Sequence, residues 1–126
     1  MEELQELKVT AARFGTDSYV VALAGELDLH TADSAERELD TVLDRGARKL
    51  VVDLCAVSFI GSVGLHVLTR AAQRARGAGG ECVLVSDDPR ILRVFEITGI
   101  DRILRIERSL LEAVSELADL RPKVAR

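Results

Sequence analysis

Two short stretches of the chain combine glycine, hydroxyl and carboxylate residues in a way that could support binding or modification chemistry. Residues 25–32 read GELDLHTA and residues 57–65 read VSFIGSVGL. Each stretch lies where a predicted strand passes into a predicted helix. Ligand and partner contacts gather at the carboxyl ends of strands in parallel sheets, so these stretches are the candidate functional segments.

Ser62 is the residue in these stretches with the clearest chemical potential. It directly precedes the predicted second helix, where its hydroxyl could accept a hydrogen bond from the amide of residue 64 or 65 as an N-cap. A phosphate at this position would meet the exposed amides and the positive end of the helix dipole, and would add about −1.5 to −2 charges. The position suits a phosphorylation switch, and a plain helix cap is the alternative interpretation.

The other reactive side chains do not form a recognisable site. His30 and His66 are expected to face solvent, and without a third ligand they predict no metal site. Cys55 and Cys82 lie far apart in apolar runs, so both are expected to be reduced thiols in the core. Asp53 lies in an apolar strand and is expected to bond a neighbouring loop amide. No cofactor is predicted.

Hydrophobic periodicity predicts an α/β fold with the element order ββαβαβαβα. The predicted strands are residues 7–14, 19–24, 49–55, 82–85 and 103–106, and the predicted helices begin near Thr31, Val63, Asp88 and Ser109. A hairpin followed by strand–helix units predicts a mixed sheet of about five strands with about four helices. We expect a single domain over residues 1–126, with a core at about residues 7–118 and a frayed tail at residues 121–126.

Composition argues against nucleic acid and membrane as partners. The net charge is −4 and aromatic residues are 3% of the chain, which disfavours phosphate contacts and base stacking. No apolar stretch approaches the roughly 18 to 20 residues that span a bilayer. The acidic start, residues 1–6, lacks the features of a secretory signal. A cytoplasmic protein is therefore expected.

Residues 25–32 and 53–65, taken together, resemble the STAS-domain anti-sigma factor antagonists, and the resemblance in element order extends over residues 7–118. It implies a STAS-like mixed sheet with helices mainly on one side. It also implies that the unphosphorylated protein binds an anti-sigma factor that is a serine kinase. Phosphorylation ends that binding, and a metal-dependent phosphatase of the PP2C type reverses it.

The same resemblance implies roles for individual residues. Ser62 occupies the position of the phosphorylated serine, and Asp28 that of the acidic residue beside it. The chain departs from the family pattern Asp-Ser-Ser/Thr-Gly, because it has Gly61 before the serine and Val63 after it. The missing acidic residue puts recognition by a kinase in question.

We hypothesise a partner-binding surface made of the turn at residues 28–31, the segment 58–65 and the exposed face of the second helix. Its predicted members are Asp28, His30, Thr31, Ser58, Phe59, Ile60, Gly61, Ser62, Val63, Gly64, His66, Val67 and Arg70. Arg70, Arg74 and Arg76 form an outer helical stripe that is expected to be solvated.

Three alternatives compete with this hypothesis. Residues 51–54 resemble the acceptor strand of a phospho-aspartate receiver domain, but no acidic pair follows the first strand to hold Mg²⁺. A nucleotide-binding enzyme is disfavoured because residues 77–80, GAGG, follow a helix and not a strand. A STAS scaffold or transporter-associated subunit without phosphorylation remains open because of Gly61.

Overall fold

A computed structural model describes residues 7–118 of the chain. The strands are β1 (Lys8–Arg13), β2 (Ser18–Leu27), β3 (Lys49–Ile60), β4 (Glu81–Val85) and β5 (Arg105–Glu107). The helices are α1 (Ala32–Asp44), α2 (Ser62–Gly77), α3 (Pro89–Thr98), α4 (Ile100–Ile103) and α5 (Leu110–Ala118). The predicted tail at residues 121–126 lies outside the described residues.

The five strands form one mixed sheet in the order β1-β2-β3-β4-β5. β1 pairs with β2 in antiparallel fashion, and β2 to β5 are mutually parallel. Because parallel crossovers are right-handed and the strand order is sequential, the connecting helices fall on the same face of the sheet. The predicted α/β fold with a hairpin opening and a mixed sheet is confirmed.

Residues of β3 alternate between two cores on opposite faces of the sheet, as the two-residue period of a strand requires. Leu50, Val52 and Leu54 face the larger core, which also contains residues of α1, α2 and α3. Val51 faces a smaller core closed by Ala113 and Leu117 of α5. The central strand is thus buried on both faces, which explains its almost unbroken apolar sequence.

The carboxyl half of β3 differs from the sequence-based expectation. The predicted strand ends at residue 55, yet the strand continues to Ile60. The reason is that β2 extends to Leu27 and continues to pair, with Glu26 opposite Phe59 and Leu27 opposite Ile60. β4 ends opposite Asp53, so this extension is bonded on one side by β2 alone. It projects the candidate segment beyond the rest of the sheet.

The region after α3 contains a helix that the sequence did not predict. Gly99 takes φ +81°, which ends α3 and lets the short helix α4 begin at once. Ile103, the predicted start of the last strand, therefore belongs to α4, and β5 begins at Arg105. The number of helices is five, where about four were expected.

The last helix buries only part of its predicted apolar face. The sequence predicts that Leu110, Leu111, Val114 and Leu117 share one face, and Val114 and Leu117 do pack on the sheet, but Leu110 and Leu111 are 38% and 75% exposed. Ala113 and Leu117 are the fully buried residues of α5. The small Ala113 contributes to the packing of α5 on the sheet. The prediction left it out because it considered only the larger apolar residues of this helix.

Several predicted helix boundaries are confirmed by their hydrogen bonds. The Asp88 carboxylate accepts the Arg90 amide at 2.9 Å, with Pro89 as the first helical residue. The Ser109 hydroxyl accepts the Glu112 amide at 3.0 Å at the start of α5. Across residues 7–118, no helix is both long enough and apolar enough to cross a bilayer.

Candidate functional site

The two candidate stretches meet at the carboxyl ends of β2 and β3. The last ladder pair is Leu27 with Ile60, and the next amide along, that of Gly61, donates to the Leu27 carbonyl at 2.9 Å. Asp28 and Ser62 each follow directly after this pair of bonded residues. The acidic residue and the serine therefore each leave the sheet at the same carboxyl end, one position after the bonded residues Leu27 and Gly61.

Ion pairs join α1 and α2. Arg70 contacts Glu36, and Arg74 contacts both Asp40 and Asp44. The two helices that follow the candidate stretches are therefore in direct contact.

A glycine in the first turn of α2 allows the helix to lie against the end of β2. A Cβ atom on Gly64 would lie 2.6 Å from Leu27 Cγ and 2.9 Å from the Leu27 carbonyl oxygen. Both distances are shorter than a carbon atom tolerates. Gly64 is therefore needed for the close approach of α2 to β2 and not for backbone freedom. This approach holds Ser62 at the carboxyl end of the sheet.

The turn between β2 and α1 is held rigid by reciprocal hydrogen bonds. One carboxylate oxygen of Asp28 accepts the amides of His30 and Thr31 at 2.9 and 3.1 Å. The Thr31 hydroxyl accepts the Asp28 amide at 2.9 Å and donates to the Glu26 carbonyl at 2.7 Å. Thr31 does occupy the N-cap of α1, but its side chain does not bond the first-turn amides. The predicted capping function is thus corrected to a function in closing the turn.

Ser62 is exposed, but it is not the helix cap that the sequence predicted. The N-cap of α2 is Gly61, whose backbone is extended (φ −91°, ψ 178°), and Ser62 is the first helical residue. Glycine has no side chain to bond the free amides, and the first turn contains no acidic residue. The hydroxyl is therefore free for modification, at a helix start without a capping side chain.

Three apolar side chains are exposed in the segments next to this serine. Leu29, Phe59 and Val63 have 72%, 49% and 39% of their surface exposed. The ring of Phe59 lies against Gly61, since a Cβ there would be 3.4 Å from a ring carbon. Leu29 was absent from the predicted surface. The sequence did contain a feature that indicates its exposure, because Leu29 is a single leucine between two polar residues, Asp28 and His30, in a tight turn.

The predicted partner-binding residues divide by burial. Seven side chains are exposed: His30, Ser58, Phe59, Ser62, Val63, His66 and Arg70. Asp28 and Gly61 are partly exposed. Four residues are buried: Thr31, Ile60, Gly64 and Val67. For these four the expected surface position is wrong, because Ile60 and Val67 belong to the core and Thr31 and Gly64 close the turn and the helix contact.

The arginine stripe of α2 is engaged within the molecule. Arg70 pairs with Glu36 at 2.9 Å, and Arg74 pairs with Asp40 and Asp44 at 3.0 and 2.9 Å. The Asp44 carboxylate, by accepting a hydrogen bond, is the main cause that raises the pKa of Arg74. These pairs are exposed, so their effect on stability is small. A partner that contacts Arg70 therefore meets an arginine already paired with the Glu36 carboxylate.

The cysteine prediction is half right. Cys82 is buried and its pKa is raised to about 12 by burial, but Cys55 is exposed. The pKa of Cys55 is raised to about 11, first by partial burial of the thiol and then by the Asp53 carboxylate. That carboxylate also accepts the Cys55 amide at 3.0 Å. Asp53 thus bonds a nearby amide as expected, although the amide belongs to β3 and not to a loop.

The receiver-domain and metal interpretations find no support in the arrangement of ligands. Within residues 7–118, no group of three or more His, Cys, Asp or Glu residues is placed to hold a metal ion. Asp53 lies in the middle of β3, opposite Ala22 and Val85, and not at a strand end. The geometry instead offers an exposed hydroxyl, a rigid acidic turn and an apolar surface, which together suit contact with a protein.

Known proteins are similar to this chain in sequence and in fold. A model of the STAS domain family matches residues 10–113, which include both candidate stretches. The anti-sigma-B factor antagonist of Listeria monocytogenes is 35% identical over 92 residues, covering 73% of this chain and 81% of that protein. The anti-sigma-F factor antagonist RsfB of Mycobacterium tuberculosis is 31% identical over 96 residues, covering 76% and 78%. The crystal structure of an anti-sigma factor antagonist from Mycobacterium paratuberculosis superposes with a TM-score of 0.82 at 28% identity, covering 90% of this chain and 95% of that one.

Proposed function

The chain belongs to the STAS domain family, and on this basis we propose that it is an anti-sigma factor antagonist. When Ser62 is unmodified, the protein binds an anti-sigma factor that is also a serine kinase, and the sigma factor is released. Phosphorylation of Ser62 by that kinase ends the binding. A metal-dependent phosphatase of the PP2C type removes the phosphate. The protein acts by binding and not by catalysis.

The observation that carries the proposal is the exposure of Ser62 between two segments with exposed apolar side chains. Leu29, Phe59 and Val63, from the turn before α1, the end of β3 and the start of α2, are all more than one third exposed. Burial of such apolar surface against a partner favours binding. A phosphate placed among them would have to lose its hydration on binding. The same surface therefore suits tight binding of a partner when Ser62 is unmodified and loss of that binding when Ser62 is phosphorylated.

The required size of the effect is within the range of one phosphate. A useful switch must weaken binding roughly 10² to 10⁴-fold, which corresponds to about 2.7 to 5.5 kcal/mol. About two negative charges, desolvated and placed near an acidic group of the partner, can supply this free energy. Asp28, which follows Leu27 at the carboxyl end of β2, adds negative charge at the same end of the sheet.

A second function within the family is favoured by one observation. Gly61 stands where the family pattern has an acidic residue before the serine. A scaffold or transporter-associated STAS subunit would bind its partner through the same surface without phosphorylation. The two functions differ in whether Ser62 is modified.

Phosphorylation by the candidate kinase and ATP, followed by mass spectrometry, tests the proposal. Trypsin releases residues 50–70, which contain Ser58, Ser62 and Thr69 as possible acceptors. Fragment ions and the matched variants Ser58→Ala and Ser62→Ala assign the site. Phosphate on Ser62 that is lost only in Ser62→Ala supports the switch, and an unmodified peptide supports the scaffold.

Calorimetric titration of the same anti-sigma factor measures the effect of the phosphate. Wild-type protein and Ser62→Ala should bind equally well, and the phosphorylated protein and Ser62→Asp should bind at least roughly 10²-fold more weakly. Equal affinity for the phosphorylated and unphosphorylated forms would refute the charge mechanism even if Ser62 is modified.

A further inference from the structure

Ser62 is the first member of a line of side chains along the exposed face of α2. The members Ser62, His66, Arg70 and Arg74 follow one another at intervals of four residues. Residues four apart on a helix lie one turn apart on the same face, about 5–6 Å between Cβ atoms. All four are exposed. The side chain next to the serine on this line is therefore the imidazole of His66.

The two arginines on this line are already occupied, and His66 is not. Arg70 and Arg74 are paired with the carboxylates of Glu36, Asp40 and Asp44 on α1. Within the described part of the chain, His66 forms no ion pair with a carboxylate. It is thus the basic side chain that is next to Ser62 along the helix and, within the described residues, unpaired with a carboxylate.

The other charged groups at this end of the molecule are few. The turn before α1 contributes Asp28 and His30, and the first turn of α1 contributes Asp33. Asp28 bonds the amides of its own turn. The faces of β3 and β4 that α2 covers are apolar. His30 is therefore the natural comparison for His66, being an exposed histidine near the serine but on a different element.

We propose that His66 is the intramolecular counter-ion of a phosphate on Ser62 and makes the phosphorylated state sensitive to pH. This inference rests on the proposed function for its physiological meaning, because it concerns the modified serine. Its physical content, a histidine–phosphate pair four residues apart on one helix, holds for the phosphorylated chain however the phosphate is attached.

Phosphoserine and histidine are kinds of group that change charge in overlapping pH ranges, the second ionisation of phosphoserine being near pH 6. A monoanionic phosphate beside an imidazolium leaves a local charge close to zero. A dianion beside a neutral imidazole leaves about −2. Release of the partner should therefore be strongest in neutral to alkaline conditions and weaker in acid.

Phosphorus-31 NMR of the full chain tests the pair directly. Phosphoserine is introduced at position 62 during synthesis through a reassigned stop codon, in the wild-type background and with His66→Gln or His30→Gln. The imidazolium favours the phosphate dianion, so the pH midpoint of the second ionisation should be lower in the wild type than in His66→Gln. The expected difference is about 0.3 to 0.5 pH units, for opposite charges roughly 6 Å apart in water.

Three results would decide the matter. A lower midpoint that is lost in His66→Gln and retained in His30→Gln supports the pair. Equal midpoints in wild type and His66→Gln overturn the proposed pair. A rise of the midpoint in His30→Gln as large as that in His66→Gln also overturns it, because it would indicate an effect of the overall electrostatic potential and not of one neighbouring side chain. Matching amide spectra of the three proteins show that the substitutions leave the fold intact.

This experiment is separable from the test of the proposed function. It uses no kinase and no partner, so failure of the kinase to modify Ser62 leaves the NMR result unaffected. Conversely, equal midpoints would remove His66 from the mechanism while the binding switch could still operate through the phosphate alone.

Discussion

Gly64 and Leu27 are in such close contact that no side chain fits between them. A Cβ on Gly64 would lie 2.6 Å from Leu27 Cγ and 2.9 Å from the Leu27 carbonyl oxygen, and the latter is fixed backbone. Gly64→Ala should therefore displace the start of α2 from the sheet. Overpacking of this kind costs about 1–3 kcal/mol in the free energy of unfolding, which urea denaturation measures.

Gly77 provides the matched control for this substitution. It lies in the last turn of the same helix, and a Cβ there would meet nothing within 4 Å. Gly77→Ala should leave stability unchanged or raise it by up to about 1 kcal/mol, because alanine reduces the freedom of the unfolded chain. If the two variants were equally stable, the close approach of α2 to β2 would not be a constraint on this fold.

Ser62→Ala should have little effect on stability, because the serine is inside the first turn and Gly61 is the cap. We expect a change within about 0.5 kcal/mol in the free energy of unfolding, as for an ordinary surface position. Ser109→Ala is the comparison, since the Ser109 hydroxyl does accept the Glu112 amide at 3.0 Å. That variant should lose about 1 kcal/mol. A loss of similar size for Ser62→Ala would show that the serine acts as a cap after all.

Gly61→Asp should stabilise the protein, because aspartate can bond the first-turn amides that glycine leaves without a capping side chain. The extended backbone at Gly61 accepts any residue, and the nearest atom to a new Cβ, on the Phe59 ring, is 3.4 Å away. The expected gain is a few tenths to about 1 kcal/mol, from capping and from charge at the helix start.

Gly61→Asn separates the two contributions, since asparagine caps without charge. In 1 M salt the Debye screening length falls to about 3 Å. If the greater stability of Gly61→Asp over Gly61→Asn disappears in this salt, the difference between the two variants is electrostatic. Destabilisation by both variants would mean that the loop cannot accept a side chain before Ser62. The same two proteins also show whether a kinase requires the acidic residue, through their rates of phosphorylation.

Leu29→Ala and Phe59→Ala should weaken partner binding without unfolding the protein. Both side chains are exposed in the free chain, at 72% and 49%, so their loss costs little core packing. Because each side chain would bury apolar surface against the partner, each substitution should raise the dissociation constant about ten-fold. Ile97, which is 70% exposed at the end of α3, is the control. An equal loss in Ile97→Ala would place the interface elsewhere.

The two cysteines should differ in their reaction with a disulfide reagent. The pKa of Cys55 is raised from 9.0 to about 11, so near pH 8 its thiolate fraction should be roughly a hundred-fold lower than that of an ordinary cysteine. The reaction rate should therefore rise about ten-fold per pH unit between pH 8 and 10. Cys82 is buried and should react only when urea unfolds the chain.

Asp53→Asn tests one of the causes of this slow reaction. Removal of the carboxylate charge should lower the pKa of Cys55 and so increase its rate at pH 8, because the thiolate is the reactive form. Partial burial, the larger cause, remains in this variant, so the increase should be incomplete. An unchanged rate would assign the raised pKa to burial alone.

Much of the fold follows from local patterns. The alternation of Leu50, Val51 and Val52 between two cores, the capping of α3 by Asp88 and the left-handed turn at Gly99 all depend on residues a few positions apart. Such preferences act within one element, so the order of strands and helices could be predicted. The position of Ser62 at the start of a helix, close to a strand end, follows for the same reason.

Tertiary structure decided the rest, because it depends on register and packing between distant segments. Only the pairing of β2 with the end of β3 extended the strand over residues 56–60, beyond the predicted end at residue 55. The same register set where Asp28 and Ser62 leave the sheet, and the cap of α2 is Gly61. Ile60 and Val67 belong to the core while Leu29 stays in solvent, which no local pattern distinguishes, since each is simply an apolar residue until its neighbours in space are known.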